Sequence, residues 1–390
     1  MSSSSSSSTP TPPPQPLQNA TPKTSSAVQY AIIFFDSCSI FVVIFLVYIF
    51  VYVPNNVIAN GISNLNILYP ALNTSVVNMN FTGDPTCSHS VNSYFTIGAY
   101  NACGLATGTT IYVDVNALTD IIGVGIRVLH FQIFSQNSNP VVAVVNDTGV
   151  NHYQNGNNFV LFQDVMNLLV LQAFTSTSAP NATDPLFLIM DIRSDNLPMF
   201  VQLAAIFEAI TPNTLLGPQY SFESMGTNFA NTTLMSALAG KIVIVIDKTS
   251  NGSSVQCPQL AEYVNFCIAG GTPITRSYAY SELVNVPDMS ELQEFGCTGL
   301  TMVLPDAGST TNPNPYVVQE AGCQFMMCNF SNYDTNLQVA LENMNTTGYA
   351  FTYMDLSCNT NTTLPDPDPQ NPALSYAPKE TTADYYNFTL

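Results

Sequence analysis

The chain has 390 residues, with 7 Lys and Arg against 26 Asp and Glu, a formal net charge of −19 and only 8% charged residues. Such an acidic surface repels nucleic-acid backbones and anionic lipid head groups, so we expect neither nucleic-acid binding nor docking onto acidic membranes. Soluble domains usually contain about 25% charged residues, so we expect much of this surface to be neutral and polar, glycosylated or covered by other proteins.

The N-terminal region divides into two segments. Residues 1–26 are rich in Ser, Thr and Pro and carry one charge, Lys23, a composition that predicts a disordered tail. Residues 27–53 are almost continuously apolar and exceed the roughly 20 residues that a helix needs to cross a bilayer. We predict a single transmembrane anchor. A cleaved signal peptide is the alternative, although its apolar region is usually about 7–15 residues long.

The flanking residues predict the orientation of this anchor. Positive charge tends to stay in the cytoplasm, so Lys23 favours a cytoplasmic N-terminus and a lumenal or extracellular C-terminal domain. Ten Asn-x-Ser/Thr sequons after the anchor are typical of an exported glycoprotein, although a chain rich in Asn and Thr also produces sequons by chance. They begin at Asn73, Asn80, Asn146, Asn181, Asn231, Asn251, Asn329, Asn345, Asn361 and Asn387.

The cysteines are also consistent with export. Eight of the nine lie beyond the anchor, and an even number in an exported domain indicates up to four disulfides. Cys87 and Cys103 are candidates for a local bridge. Cys323 and Cys328 are five residues apart on one predicted strand, so their side chains should point to opposite faces and not pair with each other. Free buried cysteines are the alternative.

Short β-branched runs alternate with helical patterns after the anchor, and this predicts one α/β domain with a parallel sheet over residues 54–358. We predict strands near 127–134, 141–145, 186–192, 241–247, 323–330 and 348–354, and helices over 159–174 and 199–210. The strands are apolar on both faces, as in a closed (β/α) barrel. Residues 250–315 are less regular, and 359–390 predict an extended or disordered arm.

Residues 90–96 read SVNSYFT. This segment resembles the Ser-His-Asn-Ser/Thr-Tyr signature that opens the X region of phosphatidylinositol-specific phospholipase C, with Val91 in place of the catalytic histidine. Seven later segments follow in the family's order, at 125–132, 140–142, 162–165, 185–191, 238–245, 321–330 and 348–351. The resemblance covers roughly residues 85–355. It implies a distorted TIM-type barrel of the kind found in phospholipase-C-like phosphodiesterases.

The resemblance also implies which chemistry should be present. Members of this family use two histidines, as general base and general acid, because the histidine pKa lies near neutrality. Val91 and Val144 stand at those two positions, and valine cannot transfer a proton. Eukaryotic members bind Ca²⁺ through an Asn and three acids. Asn92 and Asp191 match two of these ligands, but no carboxylate lies within 129–132, so at most a residual Ca²⁺ site is expected.

Other residues could compensate for the missing histidines. His89 and His152 would act as displaced catalytic residues if both lay on loops at the C-terminal face of the barrel, where barrel enzymes keep their sites. A displacement of two residues along a strand moves a side chain by about 6–7 Å, so this alternative needs a rebuilt loop. His130 is expected to be a structural core histidine. Lys248 and Arg193 follow their strands and are candidates for holding the phosphates of an inositol-lipid or glycolipid ligand.

These observations favour a membrane-anchored, exported phospholipase-C-like pseudoenzyme with a structural or recognition role. The alternative is a divergent phosphoric diester hydrolase that uses His89 and His152. The low charge and the many Asn, Thr and Tyr residues suit a protein packed against protein neighbours in an assembly. One such setting is the membrane or minor capsid layer of a large DNA virus, and a glycosylated protist or algal surface protein would have the same composition.

Overall fold

The computed structural model describes residues 26–107, 110–145, 156–210, 214–248, 257–268, 274–356, 380–383 and 386–389. They belong to two compact units, residues 1–56 and 57–390. Helix α1 (Ser26–Val47) continues through a π-helical turn (Tyr48–Tyr52) into α2 (Val53–Leu68). One helix, Tyr30–Leu68, is long and apolar enough to cross a membrane by length and composition. The predicted apolar helix is therefore present, and its orientation stays a prediction.

The second unit contains a large sheet with helices around it. Its strands are β1 (Tyr94–Ala99), β4 (Val128–Gln136), β5 (Asn139–Val142), β6 (Val160–Leu161), β7 (Leu186–Ile192), β8 (Ile242–Asp247), β9 (Phe266–Ile268), β10 (Thr275–Ala279), β11 (Leu300–Leu304), β12 (Phe325–Cys328) and β13 (Phe351–Tyr353). Two small hairpins, β2 (Gly104–Thr107) with β3 (Thr110–Val113) and β14 (Glu380–Ala383) with β15 (Tyr386–Thr389), form separate sheets.

The remaining helices mostly connect successive strands. They are α3 (Ala117–Val124), α4 (Phe162–Gln172), α5 (Leu197–Ala209), α6 (Phe222–Met225), α7 (Phe229–Thr232), α8 (Pro258–Ala261), α9 (Tyr280–Val284), α10 (Met289–Thr298), α11 (Pro315–Glu320) and α12 (Thr335–Thr347). Predicted helices over 159–174 and 199–210 correspond to α4 and α5 with ends shifted by a few residues.

Eight strands form a nearly closed parallel barrel in the order β10-β11-β12-β1-β4-β7-β8-β9. The edge strands β9 and β10 share no ladder in the part of the chain that the structure describes. The Thr275 hydroxyl in β10 donates a hydrogen bond of 2.9 Å to the Cys267 carbonyl in β9. The structure thus confirms the predicted α/β barrel.

The barrel strands are buried on both faces, as their sequences predict. All seven residues of β7 are buried, because helices cover the outside of the barrel and side chains fill its interior. The interior is apolar at the end where the strands begin. The Phe187 ring lies 5.4 Å from the Phe325 ring and 5.8 Å from the Phe351 ring, between centroids.

Further along the barrel axis the interior narrows at Gly98. A β-carbon at this position would lie 2.5 Å from the Met327 sulfur and 3.1 Å from the Val128 β-carbon. Such distances are shorter than van der Waals contact, so only glycine fits here while Met327 keeps its place. Met327 therefore closes the interior just below the end where the strands finish.

Two strands differ from the alternating parallel pattern that the sequence predicts. β5 pairs antiparallel with β4 through a tight turn in which Asn137 and Ser138 have positive φ angles of 49° and 66°. Asparagine tolerates this left-handed region better than most residues, and such turns match the twist of a hairpin. β13 pairs antiparallel with β1, with Tyr353 opposite Tyr94.

The structure contradicts the predicted bridge between Cys87 and Cys103, because both are free and buried. Cys87 precedes β1 and Cys103 follows it. A strand of this length spans about 17 Å, whereas the α-carbons of a disulfide lie at most about 7 Å apart. Cys297 is disulfide-bonded. Seven of the nine cysteines are free thiols, so the chain forms at most one disulfide.

The C-terminal arm is only partly described. Residues 357–379 lie outside the described part of the chain, while β14 and β15 pair antiparallel, with Glu380 opposite Thr389. The extended or disordered arm over 359–390 stays a prediction. The division of the chain into the four predicted segments otherwise stays a prediction.

Candidate functional site

The carboxyl ends of the eight parallel strands meet at one end of the barrel, which we call the barrel mouth. Three polar side chains form a row there, because Gln132 in β4 is the register partner of Asp191 in β7, which is in turn the partner of Asp247 in β8. Side chains in register on neighbouring strands share one face of a sheet. All three residues are buried, with exposures of 2%, 2% and 3%.

Three further residues join this row. His130 lies two residues before Gln132 on the same face of β4, Tyr100 follows the end of β1, and Arg193 follows the end of β7. We call these six residues the mouth cluster: Tyr100, His130, Gln132, Asp191, Arg193 and Asp247. Five of them are buried and Tyr100 is partly exposed.

His130 and Asp247 form a buried pair across the barrel interior. The Nε2 atom of His130 lies 3.3 Å from Oδ2 of Asp247, and their side chains are 1% and 2% exposed. The Tyr100 ring packs against the imidazole at 4.8 Å between centroids. The Nδ1 atom of His130 is buried and has no hydrogen-bond partner among the described residues. A carboxylate on one ring nitrogen fixes the orientation and tautomer of an imidazole.

Arg193 and Asp191 form a second pair at the same level. The Arg193 Nε donates to Asp191 Oδ2 at 2.6 Å, and the two side chains are 7% and 3% exposed. The backbone N–H of Arg193 donates to the Ile133 carbonyl at 2.8 Å. The segment that follows β7 therefore continues to run alongside β4. The position of Arg193 directly after β7 and its charge-assisted hydrogen bond to Asp191 hold the guanidinium at the mouth.

Gln132 holds the chain that follows β5. Its Oε1 accepts the Val145 N–H at 2.9 Å, and its carbonyl accepts the Ala143 N–H at 3.4 Å. Val144 lies between these two contacts and is buried. Val144, at the position where the resemblance implies the second histidine, is therefore near the mouth. Its valine side chain cannot act as an acid or a base.

The pKa of Tyr100 is shifted by burial and by its neighbours in the mouth cluster. Burial raises the pKa of Tyr100 above its ordinary value, and the positive charge of Arg193 opposes this rise. The carboxylates Asp191 and Asp247 raise the pKa further, while a hydrogen bond with Gln132 lowers it. Tyr100 therefore stays a neutral phenol at physiological pH, able to donate or accept a hydrogen bond.

His89, Val91 and Asn92 lie at the opposite end of the barrel from the mouth. The Val91 N–H donates to the Thr233 carbonyl, and the His89 carbonyl accepts from Met235, just before β8 begins. These residues precede β1, which starts at Tyr94. The predicted location of His89 at the C-terminal face of the barrel is therefore wrong.

The side-chain contacts of these residues are structural. The His89 ring stacks on Tyr353 at 4.4 Å between centroids. The Asn92 amide donates to the Cys297 carbonyl at 3.1 Å. The catalytic role assigned to His89 stays a prediction without support from its position.

The structure does not bring the two predicted calcium ligands together, because Asn92 precedes β1 and Asp191 ends β7. No group of three or more His, Cys, Asp or Glu residues in the described ranges could hold a metal ion. His152 lies outside the described residues. Lys248 directly follows β8 and its side chain is exposed, and Arg193 is buried at the mouth. These two predicted ligand-binding residues thus lie at the expected barrel end.

Three residues of the mouth cluster are not predicted as site residues by the sequence patterns, namely Tyr100, Gln132 and Asp247, and His130 is expected in the core. Two strands contain a sequence pattern that indicates these site residues. In β4, His130 and Gln132 alternate with apolar residues, and β8 is apolar until Asp247. Polar residues at alternate positions near the end of an otherwise buried strand indicate the mouth of a barrel.

The comparisons with known proteins identify the fold. PLC21 from S. officinalis superposes with a TM-score of 0.54 at 15% identity, over 69% of this chain and 37% of that chain. PLC21 from L. pealei gives a TM-score of 0.53 at 16% identity, over 68% and 37%. This chain therefore spans 37% of the length of either protein. A calcium-dependent phosphoinositol-specific phospholipase C from Pseudomonas sp. gives 0.42 at 12% identity, over 69% and 97%.

These likenesses, together with the barrel topology, establish that the chain has the phospholipase-C-like phosphodiesterase fold, as the sequence predicts. No protein-family model matches the chain, and no curated protein matches it in sequence.

Proposed function

We propose that this protein is a membrane-anchored, phospholipase-C-like barrel that recognises a ligand or a neighbouring protein without cleaving a phosphodiester. One observation carries the proposal. The described residues contain two histidines, His89 and His130, and only His130 lies at the barrel mouth, where it is buried against Asp247. Acid–base cleavage of a phosphodiester needs one group to take a proton and another to give one, both within reach of the phosphate.

The pairing of charges at the mouth supports this proposal. Arg193 pairs with Asp191 and His130 contacts Asp247, so both carboxylates of the mouth cluster already have a partner. Val144 stands where the resemblance implies the second histidine. A substrate would have to break a buried ion pair before it reached any of these groups, and breaking such pairs is costly.

The first test is turnover of a lipid substrate. The full-length chain, purified in detergent, is mixed with phosphatidylinositol, and release of inositol phosphate is measured with Ca²⁺ and with a chelator. We expect no turnover above a heat-denatured control in a sample that is folded by circular dichroism. Turnover by the wild type would overturn the proposal. Its loss in His152→Ala, His89→Ala or His130→Ala would identify the histidine responsible.

A second candidate function is a phosphodiesterase with a single histidine dyad. The contact between His130 and Asp247 favours it, since a carboxylate that orients an imidazole prepares that ring to act as a general base. Arg193 could then neutralise the phosphate. Under this alternative, turnover is present, falls by about two to four orders of magnitude in His130→Ala and falls also in Asp247→Asn. His89→Ala would serve as the matched control at the other barrel end.

The charge of the mouth cluster favours a ligand that is rich in hydroxyl groups. Besides His130, the cluster contains two carboxylates and one guanidinium, an arrangement that accepts hydrogen bonds from hydroxyl groups and disfavours a bare phosphate. We therefore propose a polyhydroxyl head group, as in an inositol lipid or a glycolipid, with Lys248 at the rim near the lipid phosphate. Titration calorimetry with myo-inositol and with inorganic phosphate distinguishes the two, and heat from phosphate alone would contradict the proposal.

The location of the barrel is part of the proposal. The apolar helix α1 supports a membrane anchor, and Lys23 supports a cytoplasmic N-terminus with the barrel lumenal or extracellular. In a membrane preparation, alkaline carbonate should not release the protein, and added protease should digest the barrel only from the side opposite Lys23. Release by carbonate would exclude an anchor.

Packing against protein neighbours is the other part of the proposed role. The support is compositional: 8% charged residues, a net charge of −19 and no tryptophan. The membrane or minor capsid layer of a large DNA virus is one assembly that would cover such a surface. Chemical cross-linking in the native membrane tests this, and recovery of the protein only as an uncross-linked monomer would argue against neighbours.

A further inference from the structure

The apolar helix α1 contains a single charged residue, Asp36. The rest of its sequence has no other acid and no Lys, Arg or His. Two hydroxyl groups lie next to Asp36 in the chain. The Ser37 hydroxyl donates to the Ile33 carbonyl at 2.8 Å, and the Ser39 hydroxyl donates to the Phe35 carbonyl at 2.9 Å. The helix therefore offers its own carboxylate no cation, and both hydroxyl hydrogens are already used.

Tyrosines at the two ends of the apolar segment place Asp36 inside a bilayer. Tyr30 lies near the start of α1, and Tyr48 stacks on Tyr52 at 5.5 Å between centroids in the π-helical turn. Tyrosines are enriched at both membrane–water interfaces. At 1.5 Å per residue, Tyr30 and Tyr52 are about 33 Å apart along the helix, close to the roughly 30 Å of the hydrocarbon core. Asp36 then lies about 9 Å inward from Tyr30, where a charged group is costly without a polar partner.

The residues around Asp36 form a helix face that suits close packing. A helix turns by about 100° per residue, so between residues 32 and 43 the side chains within about 60° of Asp36 are small or β-branched. With Asp36 they make up what we call the Asp36 face: Ile32, Ile33, Asp36, Ser39, Ile40 and Val43. The opposite side carries the rings of Phe34, Phe41 and Phe45. Small residues let helices approach in a membrane, and β-branched residues lose little rotamer freedom when they pack.

We infer that the Asp36 face binds the same face of a second copy of this chain, so that the protein is a dimer in the membrane. The inference rests on the proposed membrane anchor. Two copies insert with the same orientation, so a two-fold axis along the membrane normal brings the two Asp36 residues together at one depth. A carboxyl that carries a proton donates it to an oxygen of the facing carboxyl, and such a hydrogen bond between helices replaces exposure to lipid.

A second copy suits Asp36 better than a basic helix of another protein does. An ion pair would bring two desolvated charges into the hydrocarbon core. Two protonated carboxyls bring no charge, and each supplies the donor and the acceptor that the other needs. The remainder of the Asp36 face is apolar apart from Ser39, so it matches an identical apolar face and offers no second anchoring point to a charged partner.

Thiol cross-linking in a bilayer tests the dimer. The full-length protein is reconstituted at high dilution in phosphatidylcholine vesicles, oxidised with copper phenanthroline and blocked with N-ethylmaleimide before a non-reducing gel. Val43→Cys, made together with Cys38→Ser, has its thiol on the Asp36 face and should give a disulfide-linked dimer. In the wild type, Cys38 is exposed on the opposite side of α1 and the other free thiols are buried, so little dimer is expected.

Matched variants isolate the contribution of Asp36. Asp36→Leu, added to the Val43→Cys protein, should lower the dimer yield roughly tenfold, the order of magnitude of one polar contact between membrane helices. Leucine favours insertion, so this loss cannot come from a lost anchor. Asp36→Asn keeps a donor and an acceptor and should retain the dimer. Phe45→Cys, in the Cys38→Ser background, has its thiol on the opposite side at a similar depth and should cross-link no better than the wild type.

The outcomes separate this inference from the anchor on which it rests. Protein that alkaline carbonate does not release, but whose Val43→Cys variant stays monomeric, would overturn the dimer and leave the anchor intact. Equal yields from Val43→Cys and Phe45→Cys, or an undiminished yield in Asp36→Leu, would overturn the role of the Asp36 face. Release by carbonate would overturn both the anchor and the dimer. A pure protein that stays monomeric but cross-links to a different protein in native membranes would show that Asp36 binds another partner.

Discussion

Both carboxylate oxygens of Asp334 bind Asn312 across the mouth loops of β11 and β12. The Asn312 N–H donates to Oδ2 at 2.7 Å and its side-chain amide to Oδ1 at 3.1 Å. The Asn312 Oδ1 also accepts the Asn329 N–H at 2.7 Å, and its Nδ2 donates to the Asn332 carbonyl at 2.9 Å. Asn312 is 1% exposed, so one buried amide joins two loops at the barrel mouth.

Loss of this amide should destabilise the fold. In Asn312→Ala the Asn329 N–H and the Asn332 carbonyl lose their partner in a buried place, so we expect the free energy of unfolding to fall by about 2–4 kcal/mol. Denaturant unfolding of the full-length chain measures it. Asn336→Ala removes one hydrogen bond, to the Asn312 carbonyl at 2.8 Å, and should cost about 1 kcal/mol. Equal losses in both variants would show that Asn312 has no special role.

Asn181 should carry no glycan in the folded protein, although it begins a sequon. Its side chain is 0% exposed. Its Oδ1 accepts from the Arg127 Nε at 2.9 Å, and its Nδ2 donates to the Gly125 carbonyl at 2.9 Å. A glycan would replace a hydrogen on this buried Nδ2 and leave no room for its contact with the Gly125 carbonyl. Peptide mapping after expression in a secretory host should find Asn181 unmodified, with exposed Asn80 and Asn345 as comparison sites; a fully occupied Asn181 would contradict this packing.

The stability of the fold should decrease as the pH rises from about 4 to 6. Burial raises the pKa of Asp184 to about 6, although the Met79 N–H and the charge of Arg127 both oppose the rise. An acid with a raised pKa in the folded state binds more protons there than in the unfolded chain, so its ionisation lowers the free energy of unfolding. Two pKa units correspond to at most about 3 kcal/mol.

The pH effect has a direct check. Asp184→Asn should flatten the curve of unfolding free energy against pH in this window, because asparagine does not titrate. Burial also raises the pKa of Asp120 to about 6, so Asp120→Asn should flatten the remaining slope and the double variant should be flattest. An unchanged slope in Asp184→Asn would show that this carboxyl titrates normally in the fold.

Native-state alkylation should find the buried thiols unreactive. Burial raises the pKa of Cys103 far above its usual range and that of Cys323 to about 12, and the thiolate is the reactive form. After denaturation without reductant, seven cysteines should be labelled, and Cys297 should require reduction first. Mass spectrometry reads both results. A peptide in which Cys87 is linked to Cys103 would contradict the arrangement.

The barrel strands could be predicted because each one is a short apolar run with clear ends. The run from Leu186 to Ile192 follows Pro185 and became β7 without any change. The fold class follows from the alternation of such runs with helices. The hairpin of β4 and β5 is not predicted, because the alternating runs indicate parallel strands and Asn137 with Ser138 lacks the glycine that usually marks a two-residue hairpin turn.

The site was harder to predict, and the cause is one register error. The segment around Val91 resembles a catalytic signature, and this resemblance is the reason that His89 is expected on a loop at the C-terminal face of the barrel. The β-favouring run begins only at Tyr94, and Tyr100 therefore occupies the mouth in its place. The pairs His130 with Asp247 and Arg193 with Asp191 also depend on the order of strands around the barrel, which no local pattern of residues reveals.

The contact of Met327 with Gly98 also sets the depth of the barrel mouth. With the interior filled from Phe187 up to this level, a molecule that enters from the mouth meets a closed base one residue layer below the mouth cluster. A ligand that contacts the mouth cluster therefore cannot pass Met327 into the apolar half of the barrel, so only groups at the mouth itself can distinguish one ligand from another.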